Sequence, residues 1–153
     1  MNIKRHSRFF LPSLVLGCSA VFSVQADELV ILHTNDTHSQ VEPDSKNFGG
    51  VARRKVLVDS VRNVHKNVML VDAGDMVQGT LYFTLFGGEL EAKLMNYLGY
   101  DIQILGNHEF DNGVEALEGV FSKLNAEKLS TNYDLSATPL SGIFRPYSIR
   151  EIG

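Results

Sequence analysis

The 153-residue sequence has one cysteine, no tryptophan and four prolines. A single cysteine excludes an intramolecular disulfide and any thiolate metal cluster. Internal repeats and low-complexity tracts are absent, and 44% of residues are hydrophobic while 21% are charged. Collagen-like and wholly disordered classes are thereby excluded. There is also no basic surplus: 14 Lys+Arg stand against 18 Asp+Glu, a formal −4. A nucleic-acid polymer needs clustered positive charge. The longest basic run, Arg53-Arg54-Lys55, reads instead as a helix face, so no such polymer is an expected partner.

One apolar stretch is conspicuous, Phe9 to Val24 in MNIKRHSRFFLPSLVLGCSAVFSVQA, and it is short and broken for a membrane span. A positive start, this apolar stretch and Val24-Gln25-Ala26 make residues 1–26 an expected signal peptide, placing the protein in the periplasm or on the cell surface of a bacterium. Val15-Leu16-Gly17-Cys18-Ser19 loosely resembles a lipoprotein box, which makes Cys18 a candidate lipid anchor, against cleavage after Ala26. Without Lys4, Arg5 and Arg8, the remaining chain carries 11 basic and 18 acidic groups.

From residue 27 onward the pattern alternates. Strands are expected at Glu28–Asn35, Val68–Val71, Ile102–Leu105 and, briefly, Leu129–Asn132. Between them, VARRKVLVDSVRNVHKN repeats Leu57, Val61 and Val64 at helix spacing. ELEAKLMNYLGY places Leu90, Leu94 and Tyr97 or Leu98 on one face and Glu89 four residues before Lys93, with Gly99 as terminator. Val114–Asn125 is a third helix, and Tyr147–Ile152 is a candidate further strand. The order β-α-β-α-β-α-β implies an α/β fold with a mostly parallel sheet covered by helices.

Three strands run into polar loops: Asp36-Thr37-His38, Asp72-Ala73-Gly74-Asp75 and Gly106-Asn107-His108-Glu109. Parallel strands bring their carboxyl ends to one edge, where sites form. Asp36, His38, Asp75, Asn107 and His108 would meet there, and carboxylate, imidazole and amide oxygen suit divalent Zn, Mn, Fe or Mg. Asp36 and His38 flank one residue, so both can point the same way from an extended backbone. Each has a duller reading. Asp36 could cap a turn, His38 could be a surface histidine, Asp75 a turn residue beside Gly74, Asn107 a left-handed turn residue, and His108 a buried neutral group. Their joint placement at three successive strand ends favours a metal site. Asp72 reads as structural, and His33, within its strand, as packed or hydrogen-bonding behind the site.

The segments LHTNDTHSQ, GGVARR, DAGDMVQGT and LGNHEFDNG resemble the opening blocks of the secreted 5'-nucleotidase family of calcineurin-like metallophosphoesterases. The resemblance covers about residues 29 to 153. It implies an α/β/β/α sandwich holding two divalent ions, with Zn, Mn, Mg or Fe as candidates. Asp36 and His38 would hold the first ion, Asp75 would bridge both, and Asn107 would bind the second. His108 and Asp111 would form the catalytic pair, with Glu109 structural and Gly74, Gly79 and Gly106 permitting close turns. The substrate would be a nucleoside 5'-phosphate, or a 2',3'-cyclic nucleotide, UDP-sugar or other phosphoester.

The family completes its site with later histidines, and none follows His108 here. Residues 27–153 are accordingly expected to form the N-terminal part of the metallophosphoesterase domain, without the family's C-terminal nucleotide-binding domain. Alone, they are expected to show little activity.

Overall fold

The computed structural model describes residues 27–152; the expected signal peptide, its cleavage site and Cys18 lie outside them. Four parallel strands form one sheet in the order β1-β2-β3-β4: β1 Val30–Thr34, β2 Val68–Asp72, β3 Ile102–Ile104 and β4 Glu127–Leu129. Helices α1 (Val51–Val64), α2 (Leu81–Phe86), α3 (Glu89–Leu98) and α4 (Val114–Phe121) make the crossovers, and His108–Phe110 forms a short 3-10 turn. Sequential strand order with crossovers of one hand places every helix on the same face. Described residues thus build one sheet and one helical layer of an α/β/β/α arrangement.

Side-chain alternation follows from that one-sided cover. Leu70, Asp72 and Gln103 point into the helical layer and are almost fully buried. Register pairs Ile31 with Met69, His33 with Val71, Val71 with Ile102, and Ile104 with Leu129 on the opposite face. Ile31 on that face is 54% exposed. His33 lies there too, exposed, so the expected packing or hydrogen-bonding role is corrected: a one-residue step in the pleat carries it to the uncovered face.

The core joins Phe121, Leu117 and Val120 of α4 to Ala92, Met95 and Leu98 of α3, Val51 and Val58 of α1, and Leu70 of β2. The buried stripe of α1 is therefore not Leu57, Val61 and Val64: Leu57 and Val64 are 60% and 76% exposed. The inward face also carries Arg62, which donates to the Leu98 and Gly99 carbonyls at 2.9 and 2.6 Å and satisfies the end of α3. A long guanidinium stem can cover core while its head reaches carbonyls, so apolar spacing alone misjudges the face. In α3 the buried set is Glu91, Ala92, Met95 and Leu98, with Tyr97 exposed. Glu89 pairs with Lys123 of the segment after α4 rather than with Lys93. Gly99 ends α3 in the left-handed conformation, as its position predicts.

Several elements differ from those the pattern suggests. Helix α4 stops at Phe121 and β4 runs Glu127–Leu129, two residues earlier than expected. Helix α2, with Thr80 as N-cap and Gly87 in the left-handed conformation at its end, is additional. Tyr147–Ile152 is not a strand. Arg145 bridges to Leu129, then Pro146, lacking an N–H, interrupts the pairing. Ser148 and Arg150 instead bind Glu127 at 2.8 and 2.9 Å.

A buried polar chain lies beneath the strand ends. Tyr100 Oη and Thr34 Oγ1 are 2.7 Å apart, and Thr34 donates to Asp72, which also accepts from Gly74 N–H and Gln103 Nε2. Burial pushes the Asp72 carboxyl above its ordinary range despite these donors. A raised folded-state value means Asp72 favours folding most at low pH and loses that contribution as pH rises through its folded pKa. Asp72→Asn is expected to destabilise the full-length protein more at pH 4 than at pH 7, relative to wild type, in urea titrations at the two pH values. Phe121→Ala should cost about 3–5 kcal/mol, whereas Leu57→Ala, on the exposed stripe, should change stability by under about 0.5 kcal/mol in the same measurement.

Candidate metal centre

The site is built where β1, β2 and β3 end. Pairing between the first two strands continues into their loops: Asp36 N–H donates to Gly74 O, His38 N–H to Asp75 O and Ser39 N–H to Met76 O, each at 3.0 Å. These bonds hold an unusual backbone. Asp36, His38, Ser39 and Asp75 all have positive φ, at 50°, 44°, 52° and 56°. Non-glycine residues pay for that conformation and keep it only where surroundings over-determine it. The extended backbone expected at Asp36–His38 is thus replaced by a left-handed turn. Side chains still meet, with Asp36 Oδ1 and His38 Nε2 3.6 Å apart.

The third loop is joined through Glu109. Its buried carboxyl accepts from the N–H groups of Asp75 at 2.9 Å, Met76 at 2.8 Å and Gly106 at 2.6 Å. Burial raises its pKa while the three N–H donors oppose that shift. Asp75 Oδ1 in turn accepts from the His108 N–H at 2.9 Å. Close approach of the loops explains two glycines. A Cβ on Gly74, whose φ is +97°, would fall on the Gly106 amide nitrogen, and a Cβ on Gly106 would fall on the Asp75 carboxylate. At both positions the added Cβ would also meet backbone atoms, so moving a side chain alone gives no room.

These constraints gather three of the expected residues. One ligand atom from each of His38, Asp75 and His108 lies within 4.8 Å of the others, and the two imidazole rings are edge-on, 5.1 Å between centroids. Bonds of about 2.0–2.2 Å to one divalent ion are within reach of small side-chain rotations from this spread. The donors, carboxylate and imidazole, fit a borderline or hard cation and support metal binding here. Asp36 borders the group through His38; the Asn35 amide beside it holds its carboxyl below the usual range, helped by His38. Asn107 is exposed at the start of the 3-10 turn, and its side chain makes no hydrogen bond to Asp36, His38, Asp75 or His108 among the described residues.

His108 Nδ1 lies 2.8 Å from Asp111 Oδ2. That hydrogen bond raises the imidazole pKa, and partial desolvation opposes the rise. Asp111 thereby fixes the ring and leaves Nε2 as the nitrogen for other chemistry. Asn35, Ser39 and Thr80 escape the sequence reading. Asn35 donates to Asp36, while Thr80 Oγ1 donates to Ser39 O at 3.0 Å and ties the first loop to the start of α2. Only adjacency to D-x-H marks Asn35 and Ser39, and Thr80 is marked only as the end of DAGDMVQGT; neither says where a side chain goes.

Glu109→Gln replaces an acceptor of three N–H bonds by a group with one oxygen and two donors. It should cost about 2–3 kcal/mol in denaturant unfolding, and Gly106→Ala should weaken divalent-metal binding measured by calorimetry.

Residues 29–151 match the calcineurin-like phosphoesterase family. The chain is 42% identical to Bos taurus 5'-nucleotidase, over 94% of its own length and 27% of that protein's. It superposes on the 5'-nucleotidase precursor of Thermus thermophilus with a TM-score of 0.76 and 41% identity, covering 82% of this chain and 26% of that one. The Haemophilus influenzae NAD nucleotidase superposes at 0.73 with 37% identity, covering 81% and 24%. The chain therefore spans about a quarter of the length of these relatives. Agreement of family match, fold and clustered strand-end ligands shows that it belongs to the calcineurin-like phosphoesterase family.

Proposed function

We propose that this chain is the N-terminal part of an exported 5'-nucleotidase-like enzyme that hydrolyses nucleoside 5'-phosphates to nucleoside and phosphate. The observation carrying the reading is the His38–Asp75–His108 cluster, with His108 held by Asp111. Sequence similarity to the bovine and Thermus 5'-nucleotidases supports the substrate class. Similarity to the Haemophilus NAD nucleotidase keeps other nucleotide phosphoesters as alternatives. Residues 1–26 would direct export to the periplasm or cell surface, with Cys18 a candidate lipid anchor. No helix among the described residues is long and apolar enough to cross a membrane.

The roles follow from chemistry and position. Asp36 and His38 would hold one divalent ion, Asp75 would bridge to a second, and Asn107 would contribute its amide oxygen to that second ion. Zn, Mn, Mg or Fe would suit such ligands. When bound, the ions supply positive charge to the phosphoryl oxygens and make water a competent nucleophile at neutral pH. His108 would stabilise charge developing on the phosphoryl group or protonate the leaving alkoxide from Nε2. Asp111 would keep the imidazole oriented and favour its protonated form. The remaining ligands would come from sequence beyond these residues.

Manganese-dependent phosphate release from AMP by the full-length protein tests the reading. EDTA should abolish release, and His108→Ala should lower kcat by about 10²–10⁴-fold with a smaller effect on KM. Residues 27–153 alone are expected to be inactive. Release unaffected by chelation would overturn the metal mechanism.

A further inference from the structure

A second polar cluster lies behind the metal-bearing loop, within the helical layer. Glu91 of α3 is only 4% exposed, and neither of its carboxyl oxygens has a hydrogen-bond partner among the described residues. Ser39 is 3% exposed, and its Oγ is unpartnered in the same sense. Both residues line one cavity of about 20 Å³, together with Arg54 of α1 and Thr37. That volume accommodates a single water, and water occupies a cavity when polar groups converge on it. The rest of the lining is mostly apolar and includes Val51, Met76 and Met95. Burying an unsatisfied carboxyl among such neighbours is unfavourable, so the pair has a strong drive to be bridged.

Ser39 directly follows His38, and both are left-handed. The front of this turn is tied to the second loop by the His38–Asp75 and Ser39–Met76 backbone bonds and by Thr80. On the other side, Ser39 shares a cavity with Glu91 and Arg54. We propose that Glu91 is a positioning residue for the metal centre, holding the left-handed His38–Ser39 turn through one cavity water shared with the Ser39 hydroxyl. The proposal rests on the reading of His38 as a metal ligand. Its chemical content is a buried hydration site in which the Ser39 Oγ–H and the Glu91 carboxyl share a water, with Arg54 also among the lining residues. Outer partners that fix a ligand's orientation commonly change metal affinity by about 10–100-fold when removed.

Mn²⁺ dissociation constants of the full-length protein, measured by electron paramagnetic resonance beside melting temperatures, provide the test. Ser39→Ala and Glu91→Leu should each weaken Mn²⁺ binding about tenfold, and the double variant should be no more than about twofold weaker than either single, because both break one bridge. Glu91→Leu should keep or raise the melting temperature, since relieving the desolvation of a buried carboxyl offsets the lost water bridge. Glu91→Gln should restore affinity to within about threefold of wild type, because it keeps an acceptor oxygen in place. A purely packing role would instead lower the melting temperature and leave the dissociation constant unchanged. Wild-type affinity in either single variant, or fully multiplicative losses in the double, overturns the proposal. If Glu91→Leu does not fold, Ser39→Ala decides alone. His38→Ala separates the two levels: undiminished Mn²⁺ affinity there refutes the ligand reading itself. Lost affinity there, with intact affinity in the Ser39 and Glu91 variants, refutes only the positioning role.

Discussion

The Glu109 carboxyl is the clasp on which the site depends. It gathers three backbone N–H groups from two loops that are more than thirty residues apart in sequence. A carboxylate is the side chain best suited to this, since it offers several acceptor positions and no competing donor. With the clasp closed, Asp75 is held where its own carboxylate accepts the His108 N–H, which joins the second and third loops a second time. The pair of glycines at their contact lets backbones touch without side chains between them. Glu109 lies outside the His38–Asp75–His108 cluster, yet it anchors the backbone of the loops that carry Asp75 and His108.

Strain in the first loop has the same logic. Asp36, His38 and Ser39 occupy left-handed conformations that isolated chains of these residues seldom adopt. Each N–H nevertheless finds a carbonyl on the second loop, as though the β1–β2 ladder went on past its regular end. The sheet thus sets the direction of approach, and the loop bonds set the orientation of each imidazole and carboxylate. Preorganisation of this kind spares reorganisation when a cation arrives, which is the property a hydrolytic metal site needs.

The sheet itself is one-sided. Among the described residues, sequential strand order sends helices α1–α4 to one face, and the other carries Ile31, Met69, Val71, Ile102, Ile104 and Leu129 without a helical cover. This disposition is what a second sheet in an α/β/β/α sandwich would require. It also accounts for an exposed His33: its register on β1 places it on that face, two residues before the strand turns into the site.

Much was legible from the chain alone. Alternation of apolar strands with helical periods gave the α/β class and the parallel order, because period and chain order are local properties. D-x-H, G-D and G-N-H at three strand ends pointed to Asp36, His38, Asp75, Asn107 and His108, because parallel strands must bring those ends together. Helix faces were less legible: Arg54 and Arg62 share the inward side of α1, and Glu91 that of α3, where apolar spacing looks for leucine and valine. Tertiary structure alone decided the left-handed turns, the triple acceptance by Glu109 and the cavity between Glu91 and Ser39. Each depends on contacts between segments tens of residues apart, whose cost and reward exist only once the sheet has formed.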